Sequence, residues 1–329
     1  MENFNEIFKN DLLARMGDGD GACSRARLSA AFKTSGALSL ERKSFILKFE
    51  SENRVFIEAL SEIVKKQYRT LSEVTETRVR GGLKSDVPVY SIRIPAAQTR
   101  EILIDAGLMT QSGDALVFLD GGIDPSVVET RAAAIAYIST LFIGCGSVSL
   151  PKLGAEPQSA TGGAYHLEFV IGDERLANDV RRLLAELEIE AKITERKNNY
   201  VVYIKDSEIL SNFFALSGSG ESVMRIQEIL LERALFKQLA REANFSTANM
   251  DKTAKASGRQ IAAIETIEDT IGLDAIPEQL RVVARIRKEN PYATMEEMLL
   301  MLPDVGKSGL NHRLRKLVAL AERLENGGK

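Results

Sequence analysis

The clearest chemical pattern in this 329-residue chain lies near its C-terminal end. No Asp or Glu occurs from Val305 through Ala321, while Lys307, Arg313, Arg315 and Lys316 all fall there. Ser308, Asn311 and His312 stand among them. Asn can pair bidentately with adenine and Arg with guanine, and Arg and Lys also bind phosphate. Leu310, Leu314 and Leu317, with Val318 and Ala321, recur at helical spacing, so the polar residues share the opposite face. Two helices are expected ahead of this one. Glu278–Lys288 stops before Asn290-Pro291. Thr294 begins the next, with Glu297 three residues on as in a capping box, and Met295, Met298, Leu299 and Leu302 as its apolar positions. Pro303-Asp304-Val305-Gly306 reads as a turn, and Ser308 as the cap of the last helix. Helix, tight turn and basic helix make a helix-turn-helix pattern, about 275–318, whose last helix would enter the major groove of DNA. A solvated basic face is the competing reading.

Elsewhere the chemistry is sparse. Cys23 and Cys145 are far apart and in no metal spacing, so neither a disulfide framework nor a metal site is expected. Gly17–Gly21 (GDGDG) lacks the ligand set and closing Glu of a calcium loop and reads as a turn. His166 and Glu168 sit two apart on a strand and could share a hydrogen bond, without a nucleophile beside them. There is no P-loop, no GxGxxG after a strand and no CxxC. No catalytic residues and no cofactor are expected, and the chain is read as a non-enzyme. Net charge is −3, so any nucleic-acid surface must be local. No apolar run reaches the roughly 18–20 residues that span a bilayer. The N-terminal stretch has acids among its apolar residues and is not a signal peptide. A cytoplasmic, nucleoid-associated location is expected, with no membrane partner.

The elements that position these residues are read from two related runs, LSAAFKTSGAL at Leu28–Leu38 and AAAIAYISTLFIGCGSV at Ala132–Val148. Gly36 and Gly146 are 110 residues apart, as are Ser39-Leu40 and Ser149-Leu150, while Phe49 and Phe169 are 120 apart. The extra ten residues fall in the Gly/Pro/Ser stretch Pro151–Gly163. In each copy a helix (Ser24–Thr34; Asp124–Phe142) leads into strands. The first copy continues with a strand around Phe45–Phe49, a helix Val55–Tyr68, strands Val74–Arg80 and Val89–Ile94, and a helix Pro95–Ala106. The second has a strand around Tyr165–Phe169, a helix Glu174–Leu187, a hairpin Ala191–Arg196 with Tyr200–Ile204, and a helix Glu208–Leu216. Two α-β-α-β-β-α copies imply a pseudo-two-fold unit, with the long helices meeting on the axis.

The longer run resembles the signature helix of LAGLIDADG homing endonucleases. Those enzymes carry one acid per helix just before the final glycine, and the two carboxylates hold divalent metal. Here Ser35 and Cys145 occupy those positions. Lys33 and Ile143 stand two residues earlier, where the signature has its other familiar acid. The resemblance therefore implies the scaffold without the nuclease. Basic residues on the hairpins (Arg78, Arg80, Lys84 and Arg93; Lys192, Arg196, Lys197 and Lys205) could touch phosphates, with Glu76 and Glu195 interspersed.

The fold class expected is α+β: a two-repeat LAGLIDADG-like domain over 1–220 (repeats about 24–107 and 124–216), then an all-α helix-turn-helix domain over 261–329. Residues 221–260 are read as a helix, Ser222–Ala243, followed by a polar linker. Taken together, Ser308-Gly-Leu-Asn-His-Arg-Leu-Arg-Lys316, Ile271-Gly-Leu-Asp-Ala-Ile-Pro277 and Asn244…Ala248-Asn249-Met250-Asp251-Lys252-Thr253 resemble the WhiA regulators of bacteria across nearly the whole chain. Many members pair cysteines near the N-terminus, where this chain has only Cys23. The resemblance implies a sequence-specific transcription factor acting on promoter DNA in cell division, chromosome segregation and sporulation. Lys307, Ser308, Asn311, His312, Arg313, Arg315 and Lys316 would contact DNA, with Asn249 and Lys252 as linker contacts. An alternative stays open: a protein-interaction scaffold engaging a sigma factor or other transcription machinery.

Overall fold

The structure, a computed structural model, describes residues 3–41, 44–79, 86–112, 115–118, 121–154 and 163–327. The chain divides into two compact units, Met1–Ala234 and Leu235–Lys329.

The first unit opens with α1 (Phe4–Ala14), capped by Asn3, and α2 (Gly21–Ser35), capped by Asp20 through the amide of Cys23. Strands β1 (Gly36–Glu41) and β2 (Ser44–Ser51), helix α3 (Arg54–Tyr68), strands β3 (Thr75–Val79) and β4 (Val87–Ile94), and helix α4 (Ala96–Asp105) complete the first copy. A small hairpin, β5 (Met109–Ser112) with β6 (Ala115–Phe118), follows. The second copy comprises α5 (Arg131–Cys145), β7 (Gly146–Ser149), β8 (His166–Ile171), α6 (Glu174–Glu186), β9 (Lys192–Arg196), β10 (Asn199–Ile204) and α7 (Ser207–Leu216).

The two four-stranded sheets have matching order, β1-β2-β4-β3 and β7-β8-β10-β9, and every described pairing within them is antiparallel. Register carries the repeat down to single residues. Gly36 faces Phe49 and Gly146 faces Phe169; Leu47 faces Ile94 and Leu167 faces Ile204. The two-residue turn of the last hairpin, Lys197-Asn198, has φ of 50° and 62°, the positive pair that matches the strands' right-handed twist. Alternation sends Leu47, Phe49, Ile92 and Ile94, and likewise Leu167, Phe169, Val202 and Ile204, into one core. Phe8, Phe142, Phe169, Phe213 and Phe214 interlock there edge to face, with centroids 4.8 Å apart for Phe8 and Phe214 and 5.5 Å for Phe142 and Phe169.

Four expectations need correction. Each copy runs α-β-β-α-β-β-α rather than α-β-α-β-β-α, because a further strand, β1 or β7, follows the first helix directly and makes each sheet four-stranded. The helix expected from Asp124 is two pieces: Asp124 caps a single 3-10 turn (Pro125–Val127), and Thr130 restarts the chain as α5 by accepting from the amide of Ala133. The polar stretch 244–260 is not a linker but part of α8 (Gly220–Ile271), a 52-residue helix. That stretch lacks proline and has one glycine, Gly258, so nothing in it breaks a helix even though several residues are weak helix formers. The last helix, given below, is capped by Gly306 rather than Ser308. Of the expected hairpin residues, Arg80 and Lys84 lie outside the described residues, as does most of Pro151–Gly163.

In the second unit, the end of α8 packs with α9 (Glu278–Glu289), α10 (Met295–Leu300) and α11 (Lys307–Asn326). A 3-10 turn, Leu273–Ala275, links α8 to α9. The core is Ala263, Ile264 and Ile267 of α8, Val283 and Ala284 of α9, Met298 and Leu302, and Leu310, Leu314, Leu317 and Ala321 of α11. No helix among the described residues is long and apolar enough to cross a membrane.

Candidate nucleic-acid interface

Helix α11 has two faces. Leu310, Leu314, Leu317 and Ala321 are buried. At about 100° per residue, His312 and Ser308 point away from that stripe, Arg315 and Lys316 lie about 50° to either side of the opposite pole, and Asn311 stands at the edge, about 90° round. All five are exposed, and among the described residues none has a hydrogen-bond or ion-pair partner. Arg313 differs: it is half-buried and turned about 160° from Arg315 around the helix axis. Lys307 is exposed but lies 3.4 Å from Glu296 of α10. The structure thus brings Ser308, Asn311, His312, Arg315 and Lys316 onto one surface and sets Arg313 and Lys307 at its margins. Asn249 and Lys252 are exposed on a different element, α8.

The frame behind this helix is tightly specified. Thr294 accepts from the amide of Glu297 at 3.2 Å, and the Glu297 carboxylate accepts from the Thr294 amide at 2.7 Å, a complete capping box. The hydrogen bond from Thr294 holds the Glu297 carboxyl below its ordinary range. The turn closes through Val305 N–H to Leu302 O (3.0 Å) and Leu310 N–H to Gly306 O (3.0 Å). Gly309 lets the turn sit close, because a Cβ there would come 3.3 Å from the Val305 side chain. Sequence reasoning missed Arg287. It is 3% exposed and donates to the carbonyls of Ala293 (2.7 Å) and Asn290 (3.4 Å), which pins the loop from α9 to α10. Ser257 of α8 donates to the Pro291 carbonyl in the same loop. A buried arginine is invisible to periodicity, since its type predicts a surface position.

The sheet faces of the first unit are a weaker candidate. Arg93 pairs with Glu41, Lys48 with Glu50, and Arg78 lies 4.0 Å from Glu76. On the second sheet His166 is 2.9 Å from Glu168, which also accepts from Ser147 at 3.3 Å, and Lys205 stands over the Tyr203 ring at 5.0 Å. Lys192, Arg196 and Lys197 are exposed.

At the ends of the paired helices, Ser35 donates to Ala31 O (2.8 Å) and Cys145 to Leu141 O (3.3 Å). Each bonds back into its own helix, and neither is an oxygen anion that would hold a hard cation. Burial pushes the Cys145 thiol up to about 12, with Lys9 opposing the shift. Lys33 donates to the Gly121 carbonyl at 2.8 Å; burial lowers its pKa, against the pull of Asp173 and Asp179. Among the described residues no three His, Cys, Asp or Glu side chains converge as a metal site would require.

Fold and site together define the class: two LAGLIDADG-like repeats joined to a helix-turn-helix domain. Residues 21–109 match the model of the WhiA N-terminal LAGLIDADG-like domain, 134–235 that of the WhiA LAGLIDADG-like domain, and 239–321 that of the WhiA C-terminal HTH domain. The probable cell division protein WhiA of Clostridium acetobutylicum is 36% identical over 92% of this chain and 93% of its own length. Its counterpart in Alkaliphilus metalliredigens is 34% identical over 96% of each. The crystal structure of full-length WhiA from Thermotoga maritima shares the fold, with a TM-score of 0.56 at 23% identity over 98% of this chain and 99% of that one. The chain belongs to the WhiA family.

Proposed function

We propose that this chain is a sequence-specific DNA-binding regulator of transcription that reads double-stranded promoter DNA through α11 and performs no nuclease reaction. One observation carries the proposal: an exposed, unpaired face of Ser308, Asn311, His312, Arg315 and Lys316 stands opposite a buried leucine stripe, on the helix that follows a capped helix and a tight turn. Asn311 and Arg315 are assigned to base edges, and Lys316 and Arg313 to phosphates. Lys307, Ser308 and His312 meet the groove wall, and Asn249 and Lys252 the flanking backbone. Relatives named as probable cell division proteins support a role in cell division; roles in chromosome segregation and sporulation, and a place in the cytoplasm at the nucleoid, belong to the same proposal.

A second reading draws on the acid partners of Arg93 and Lys48, which leave the outer face of the first sheet balanced in charge. Such a face suits a protein, for example a sigma factor, better than phosphate. Selection of the full chain against random duplex DNA, with Arg315→Ala in parallel, tests both. An enriched motif lost in the variant supports reading by α11. Enrichment that survives the variant moves the specificity elsewhere.

A further inference from the structure

Away from the helix-turn-helix, the first unit holds a cavity of about 250 Å³ beside the N-terminal halves of α2 and α5. Arg27 lines it and is only 8% exposed. Its guanidinium donates to the carbonyls of Asp18 (2.5 Å) and Arg15 (3.1 Å), which are uncharged acceptors. Among the described residues no carboxylate forms an ion pair with Arg27; burial lowers its pKa, against the pull of Cys23 and of Asp18, which lines the same cavity. Arg15, the second guanidinium on the wall, has its nearest carboxylate, Asp18, 3.8 Å away and keeps a side chain 53% exposed. Arg27 and Arg15 thus share the single carboxylate of Asp18 on the cavity wall, which leaves one positive charge unbalanced, and an anion delivered to this place would be favoured. Apolar Leu12, Met16, Ile135 and Ala136 make up much of the remaining lining.

We propose that this cavity is a binding site for a small organic anion, with a carboxylate or phosphate head held by Arg27 and Arg15 and a short apolar body against Met16 and Ile135. The guanidinium fork suits both head groups, because each presents two oxygens at the spacing of two parallel N–H donors. The volume is below that of ordinary drug-sized sites and limits the body to about one ring or a short chain. Leu216–Gly218 close one side of the cavity, and α8 starts two residues later at Gly220. Nothing in the DNA-reading proposal depends on this site.

The test is calorimetric titration and thermal melting of the full chain with benzoate, phenyl phosphate and inorganic phosphate, and with benzyl alcohol as the uncharged control. Saturable heat and a raised melting temperature with benzoate, with phenyl phosphate or with both are expected, and the stronger of the two identifies the head group. Inorganic phosphate should bind more weakly and benzyl alcohol not at all. Arg15→Gln, at a half-exposed position, should melt like the parent and lose about ten-fold in affinity, the loss of one charge-assisted fork. Ser139→Leu, which fills the cavity, should abolish binding. Absence of saturable heat with all three anions at millimolar concentration would overturn the proposal. So would an affinity unchanged in both Arg15→Gln and Ser139→Leu.

Discussion

Thr34 and Gly144 touch where the two long helices meet: a Cβ on Gly144 would lie 2.2 Å from Thr34 Oγ1 and 2.5 Å from its Cβ. They are also equivalent residues of the two copies, 110 apart, like the glycines that end the helices. The contact therefore sits at the centre of the pseudo-two-fold. Only one of the pair can carry a side chain there, which is how two similar helices pack without clashing.

Gly144→Ala should accordingly destabilise the first unit by about 1–3 kcal/mol, the usual cost of forcing extra volume into a packed interior. The Thr34 Cβ cannot rotate away, so a rotamer change gives no relief. Chemical denaturation followed by far-ultraviolet circular dichroism measures the loss, and Thr34→Gly in the same chain should recover part of it. A neutral Gly144→Ala would mean the helices do not approach as described.

The capping box at α10 predicts a pH dependence. The folded Glu297 carboxyl titrates below its unfolded value because the Thr294 amide and hydroxyl hydrogen-bond to it. Its contribution is present above the unfolded glutamate range and is lost as pH falls through the folded value. Melting of the second unit should therefore weaken below about pH 4.5, from this group, more in the parent than in Glu297→Gln. Thr294→Ala should cost about 1 kcal/mol at neutral pH, as loss of an N-cap does.

Cys145 should be inert. Its half-buried thiol is raised well above the ordinary thiol range by desolvation and donates to Leu141, and the thiolate is the reactive form. Cys23 is 4% exposed. A thiol reagent at pH 8 should react with neither cysteine in the folded chain and with both after unfolding. Rapid reaction of Cys145 in the folded protein would contradict its placement.

Much of this arrangement was legible in the sequence. The 110- and 120-residue offsets between glycines and phenylalanines became strand registers, Gly36 to Phe49 and Gly146 to Phe169, because side-chain period and burial leave one register that sends both phenylalanines inward. The faces of α11 followed from leucine spacing. What could not be read depends on distant partners. The Arg93–Glu41 pair joins residues 52 apart, and the Arg287 carbonyl contacts exist only once the α9–α10 loop has closed. The middle of α8 has the Asn, Thr and Ser content of a loop, yet no proline interrupts it and it continues as helix. Ser308 is of a type that suits a cap, yet the chain enters the helix two residues earlier, at Gly306.

Single substitutions on α11 should separate reading from holding. Lys316→Ala should weaken binding to all duplexes similarly and lower the salt slope by about one. Arg313→Ala, at a half-buried position away from the central face, should change sequence preference little.

The most direct measurement is fluorescence anisotropy of the full chain on its selected duplex and on a scrambled duplex, for the parent, Arg315→Ala and Lys192→Ala/Lys205→Ala. Reading by α11 predicts that Arg315→Ala removes about 1–3 kcal/mol of preference for the selected duplex, while the sheet variant keeps the preference. Retention of the preference in Arg315→Ala, together with its loss in the sheet variant, would place sequence reading on the LAGLIDADG-like scaffold and contradict the account.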